Sequence, residues 1–474
     1  MSRGDLRAGA ARAWTAGMGV VLAGLLAAVP LQMAAIVAAV PLGILVAVVP
    51  QLLLLGLPLA VPLEQRLSLG LAGIRLGPVE LLIGAAVVAW LARAVAARRL
   101  SWTAGAVGWA LLVWLWVMGL SLTSALSLSA GLVEASKWLE VLALVVVLPA
   151  LLPRSQVRYL IWALAIAGAL SALLGLYQFA TGTGPEGFLL LGRFMRAYGT
   201  FQQPNPFAAH LGLSLPFAAG WALAAATTRH ERLALLTLTG IMVLGILASW
   251  SRGAWLALAA SVALMAALLR PRLATAGAVL LLITGPLWIG PMASTALAQR
   301  ALGMTGSVTG LNVARVEPTD DNWAVVERLA HWQAAWYMFE DDPWLGVGAG
   351  NYEVVYGRYA VPRWSDPLGH AHNYYLNALA ETGLLGLTAY LALGVVAWIS
   401  LLRGWRSAAD STARALVLAA VGTLAYLTVH SVVDNLYVHG MQVLVGLALA
   451  VPVLGRPATD GAPEPKRERC ILGL

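Results

Sequence analysis

The sequence predicts an all-α fold: a polytopic transmembrane helical bundle of 12 or 14 spans, with a large periplasmic loop carrying short amphipathic helices. Three observations predict it. First, 60% of the 474 residues are hydrophobic and only 11% are charged, with a mean hydropathy of +0.79; a soluble domain carries about 25% charge. Second, no charge occurs from Ala13 to Leu63, Leu100 to Val133, Tyr159 to Pro185 or Leu273 to Gln299. A spanning helix needs about 20 apolar residues, and these runs are too long for barrel strands. Third, the basic residues gather in the short links between runs, as cytoplasmic loops do.

Taken in order, the chain starts with Arg3, Arg7 and Arg12 ahead of an apolar stretch. That start imitates a signal peptide, but the apolar run continues too far, which favours a retained first span. Spans are expected near 76–92, 105–124, 131–152, 158–179, 205–224, 233–249, 253–269, 273–291, 373–402, 413–430 and 438–455. If the N-terminus is inside and the 62–75 link outside, residues 14–62 cross an odd number of times. Three short crossings divided near Pro30, Pro41 and Pro50 satisfy this, as does one crossing plus an interfacial piece.

The links on the side of the N-terminus carry Arg93, Arg98 and Arg99; Arg154 and Arg158; Arg229 and Arg232; Arg270 and Arg272; and Arg403, Arg406 and Arg414. With the N-terminal arginines and Arg456, Lys466, Arg467 and Arg469 of the tail, that side holds 19 of 30 basic residues and reads as cytoplasmic. The expected units are a first bundle part (1–291), a periplasmic loop (292–371), the last spans (372–456) and a cytoplasmic tail (457–474). Such a chain belongs in a bacterial inner membrane. The net charge of +8 is explained by topology and gives no reason to expect nucleic acid. The lone cysteine, Cys470, excludes an internal disulfide and is fifth from the end, outside a prenylation box.

Three segments then face outward: Thr181 to Asn205, the tight turn Ser249 to Arg252, and Met292 to His372. The last holds nine acids against five arginines. In the first, Arg193 and Arg196 stand near the membrane boundary, where guanidinium forks either bind phosphate oxygens or anchor to lipid headgroups. Arg252 sits between two apolar helices with almost no loop around it. An arginine at that depth either serves a water-filled cavity or a partner, or snorkels to the surface.

The long loop contains a helical pattern from Trp323 to Phe339, whose apolar face is Val326, Leu329, Trp332, Trp336 and Phe339. It is expected to lie on the membrane or cap a cavity. Arg328 and His331 are on it, and His331 reads as solvated. The glycine-rich stretch Asp342 to Tyr352 lacks the lysine and Ser/Thr of a P-loop and reads as a compact turn. His370 and His372 lead into a span. They are either a base with its neighbour or a structural hydrogen-bonding pair; a metal site would need more ligands, so none is expected. Glu134, Lys137 and Glu140 lie along one side of an apolar helix, where they brace the bundle or line a polar path. His430 and Asp434 occupy the last outward turn without an assigned role.

Four stretches, in order, resemble the O-antigen ligase-related family of ligases, polymerases and protein O-oligosaccharyltransferases. They are Arg196-Ala197-Tyr198-Gly199-Thr200-Phe201 with Pro204-Asn205; Ser251-Arg252-Gly253-Ala254-Trp255; Pro343 to Gly348; and His372-Asn373 through Leu376, Glu381, Gly383 and Leu384-Leu385-Gly386. The likeness covers roughly residues 190–450. It implies metal-independent, cofactor-free glycosyl transfer on the periplasmic face or cell exterior. The donor it implies is a glycan on undecaprenyl diphosphate, and the acceptor a lipid, glycan or protein. By that resemblance Arg196 and Arg252 match the diphosphate-binding arginines, and His372 matches the histidine that activates the acceptor hydroxyl. Arg193, Arg328 and His370 are further substrate-binding candidates. The competing reading is a transporter of glycan or small anion, which calls for mid-span polar groups in both halves and internal repeats. No clear inverted repeat is present, and the candidate groups cluster at one face. A purely structural membrane anchor would leave Arg252 and His372 without a role.

Overall fold

A computed structural model describes residues 49–71, 74–100, 102, 104–190, 192–272, 313, 317–318 and 323–454. The expected crossings in most of 14–62, the span at 273–291, the first part of the long loop and the 457–474 tail lie outside them.

The described chain is helical throughout, apart from two short antiparallel hairpins. In order it runs α1 (Gln51–Ala60), α2 (Glu64–Leu67), β1 (Leu69–Leu71), β2 (Ile74–Leu76), α3 (Pro78–Ala96), α4 (Gly105–Ser121), α5 (Leu128–Leu151) and α6 (Val157–Thr181). Then come β3 (Leu189–Leu190), β4 (Phe194–Met195), α7 (Pro204–Ala224), α8 (Arg229–Ala248), α9 (Arg252–Leu269), α10 (Trp323–Asp341), α11 (Tyr352–Tyr359), α12 (Tyr374–Arg406), α13 (Ser411–His430) and α14 (Gln442–Leu454). Among the described residues, eight helices are long and apolar enough to cross a membrane. Helix α5 has the length but carries Glu134, Lys137 and Glu140, and α14 is shorter. The chain is a multi-pass membrane protein, and each of these eight helices falls on an expected span.

Helices α7 and α13 form the centre. Helix α7 is buried along nearly its whole length. Gly212 lets Tyr426 of α13 lie against its backbone, where a Cβ would meet the ring at 2.0 Å. That closeness delivers two hydrogen bonds to α7 carbonyls: Tyr426 Oη donates to Ala208 O at 2.9 Å and Thr423 Oγ1 to Leu213 O at 3.1 Å. Small residues and hydroxyls are how helices gain attraction when lipid is as apolar as their own side chains. A second cluster of Trp114, Trp138, Tyr374, Tyr390 and Tyr437 ties α4, α5, α12 and the last turn together.

Helix α12 is broken at Gly383, whose φ of 62° and ψ of −164° no helix tolerates. The freed backbone groups pair with the glycine-rich stretch before α11. Val347 N donates to Ala380 O (2.9 Å) and Gly348 N to Glu381 O (3.0 Å), while Leu384 N donates to Pro343 O (2.9 Å). The Glu381 carboxylate accepts from Tyr352 N at 3.0 Å, at the first turn of α11. The stretch is thus the expected compact turn, and its job is to satisfy a broken helix, since backbone groups in lipid must be paired within protein.

The structure corrects one expectation about α10. Its buried face is Val326, Ala330, His331, Ala334, Ala335 and Met338, packed largely on α11 and α12, while Trp323 and Trp336 are exposed. His331 is not solvated; it is 1% exposed. Small residues let α10 approach its neighbours closely, whereas indoles would hold it off.

Candidate functional site

Segments from five parts of the chain line a cavity of about 980 Å³. Its wall includes Arg196, Arg328, His370, His372, Asp434 and Lys137. Of the residues singled out from sequence, it therefore gathers Arg196, Arg328, His370 and His372.

Arg196 follows the β3–β4 hairpin, in which Leu189 pairs with Met195 and Leu190 with Phe194. Ala197 N donates to Ala248 O at 3.0 Å, fastening the hairpin to the end of α8. Arg196 Nε then donates to Ser249 O at 2.9 Å, and Nη2 to Asn205 Oδ1 at 3.2 Å. Ser249 and Trp250 make the turn into α9, so Arg252, the first residue of α9, is brought close to Arg196. Arg252 is exposed and stands beside the cavity lining rather than in it. Burial first, and then the nearby charges of Arg328 and Arg252, lower the Arg196 guanidinium to about 10. It stays charged at neutral pH, with two like charges close by. Arg193 is not part of this group. It lies exposed over the Phe194 ring, 5.2 Å from its centroid.

The histidine loop is built by the N-terminus of α12. Asn373 caps it, accepting from Tyr375 N (3.0 Å) and Leu376 N (3.1 Å). Asn377 one turn on accepts from Ala371 N at 3.1 Å, and Tyr374 N donates to Ser431 O at 2.8 Å. The last contact brings the loop against the turn after α13. There Asp434, 7% exposed, lies 3.6 Å from His372 Nδ1 and 3.9 Å from His370 Nε2. His372 adopts a left-handed φ of 50°, a strained conformation of the kind that clusters at functional sites.

The hydrogen bonds also assign roles. His370 Nδ1 accepts from the His372 amide at 3.1 Å, so the proton of a neutral His370 sits on Nε2, facing Asp434. His370, His372 and Asp434 are near enough to suggest a metal triad, yet in this tautomer His370 offers a metal no lone pair. Burial, then the His372 charge, push His370 down to about 3, and it is neutral. Burial would raise the Asp434 carboxyl, but the approach of the His372 imidazole, with His370 and His430 also facing it, outweighs that and holds it well below the usual range. The carboxylate stands 3.6 Å from Nδ1, too far for a hydrogen bond, and both ring nitrogens of His372 are buried without a hydrogen-bond partner; with Nδ1 turned to the carboxylate, Nε2 is the lone-pair nitrogen. His331 closes the cluster. Its ring meets His372 edge-on at 5.5 Å, and its Nδ1 is 3.0 Å from Tyr352 Oη.

Sequence reasoning left Asp434 without a role and missed the burial of His331. Asp434 lies 62 residues beyond His372 in a turn with no motif; its one signal was being an acid next to an apolar span.

Residues 237–391 match the family model described as O-antigen ligase. The match includes Arg252, Arg328, His370, His372 and the Gly383 break, and stops short of Arg196 and Asp434. No curated protein matches the chain.

Proposed function

We propose that this chain, an O-antigen ligase-related membrane protein, transfers a glycan from undecaprenyl diphosphate to an acceptor hydroxyl on the outer face of the inner membrane. The observation that carries the proposal is one cavity with a cationic end at Arg196 and Arg328, beside Arg252, and an Asp434-backed imidazole elsewhere in its wall.

The chemistry follows from that layout. The anomeric C–O bond to the diphosphate breaks and a C–O bond to the acceptor oxygen forms. The acceptor proton passes to His372 Nε2, and the leaving undecaprenyl diphosphate takes the bonding pair. Negative charge grows on the leaving group, where three guanidiniums are already held, so stabilisation needs little reorganisation. Asp434 orients His372 and stabilises the imidazolium that forms. The diphosphate is a sufficient leaving group, so these residues alone account for the step. His370 keeps Asp434 in place.

The test is genetic. The gene is deleted and restored as wild type, Arg252→Ala or His372→Ala, and the surface polysaccharide is examined. Loss of polymer from the acceptor with both variants supports the proposal and indicates a ligase. Single repeat units on the acceptor indicate a polymerase of the same chemistry. Normal polymer with both variants overturns transfer.

A further inference from the structure

The cavity wall carries a second charged feature that the reaction above leaves unused. Lys137 and Glu134 of α5 form an ion pair at 2.6 Å, with side chains 26% and 15% exposed, and both line the cavity. We propose that this pair is the acceptor-sugar subsite and takes an uncharged sugar through vicinal hydroxyls; this rests on the transferase reading.

An ion pair in an apolar helix is a poor brace. Withdrawing both charges from water costs more than apolar packing of the same volume, and ionisable groups within spans usually mark function. Glu381 lines the same wall and Glu140 follows one turn along α5, so carboxyl groups outnumber the single ammonium there. A phosphate or carboxylate on the acceptor would meet further acids in that setting. A diol fits it. Among the described residues Lys137 has one hydrogen-bond partner, Glu134 Oε2, leaving two ammonium donors, while Glu134 Oε1 remains as an acceptor. Two hydroxyls on adjacent carbons present the matching acceptors and donor.

Position assigns the pair to the acceptor. Trp138, next to Lys137, packs on Tyr374 with ring centroids 6.4 Å apart, two residues past His372, whereas Arg196 bonds Ser249 and Asn205. The pair is therefore at the imidazole end, where the attacking hydroxyl must lie, and away from the diphosphate end.

The experiment uses the full-length protein in membranes. Acceptor extracted from the deletion strain is titrated at fixed lipid-linked donor, and then the reverse. Lys137→Met, Glu134→Gln and the double variant are compared with Lys137→Arg, and folding is followed by melting temperature. The double variant leaves no unpaired charge and guards against misfolding of the single ones. Losing a hydrogen bond to a charged group predicts an acceptor KM raised about tenfold or more, with kcat and donor KM near wild type and partial rescue by Lys137→Arg. An unchanged acceptor KM in the folded double variant overturns the subsite, as does a rise confined to the donor KM. Binding of undecaprenyl diphosphate alone, read as a melting shift, should be equal in all four variants and the wild type. Its absence from the wild type would instead remove the transferase reading itself.

Discussion

At the scale of single residues, the site depends on which atoms face each other. His372 Nδ1 faces Asp434, and on the proposed reading Nε2 takes the acceptor's proton. His372→Ala should lower kcat by about 10²–10⁴, the usual worth of general-base catalysis. Asp434→Asn should give a smaller loss of kcat with donor KM unchanged, because the arginine end is untouched; a change in donor KM alone would contradict the role given to Asp434. The buried histidines predict a pH response. Burial and the His372 charge lower His331 from 6.5 to about 4. Below pH 6.5 the unfolded chain takes up a proton that the folded chain refuses, so stability falls until about pH 4, where the folded form also protonates. The melting temperature of the purified protein should decline across that window, and His331→Asn should lessen the decline, with His370 contributing the remainder in the same direction.

At the scale of elements, the break in α12 is the unusual feature. It ends the helix segment that presents His372, Asn377 and Glu381, and the glycine-rich turn fills the gap. A Cβ at Gly383 would meet the Trp344 carbonyl at 2.3 Å, on a residue with φ of 62°. Gly383→Ala should therefore destabilise by at least about 1–3 kcal/mol and reduce the yield of folded protein, measured by size-exclusion after detergent extraction. Wild-type yield and melting temperature would show that the turn does not depend on the break. Gly212→Val should fail by a different route, since it pushes Tyr426 away from α7 and removes its bond to Ala208.

At the scale of the molecule, three guanidiniums are gathered where three separate segments meet. Arg196 comes after a hairpin, Arg252 starts a span and Arg328 lies on α10. A cluster drawn from distant parts of the chain should bind a polyanion as a unit. Undecaprenyl diphosphate should raise the wild-type melting temperature, and Arg196→Ala should weaken its binding by about tenfold or more, as expected when a charge-assisted bond is removed. Equal shifts for wild type and Arg196→Ala would place the diphosphate elsewhere.

Sequence by itself determined the class of the protein and the lengths of its described spans, because hydropathy is local: a run such as Tyr159 to Pro185 can only be stabilised in lipid as a helix. A resemblance carried by four short stretches pointed to Arg196, Arg252 and His372, with Arg193, Arg328 and His370 beside them, where local pattern alone left each a structural alternative. Only the tertiary structure decided that Asp434 backs His372, that His331 is buried, that Arg193 turns away, and that the glycine-rich turn repairs α12. Each of these joins residues remote in the chain, or selects one face of a helix. Such choices are made by packing between elements, which no local pattern records.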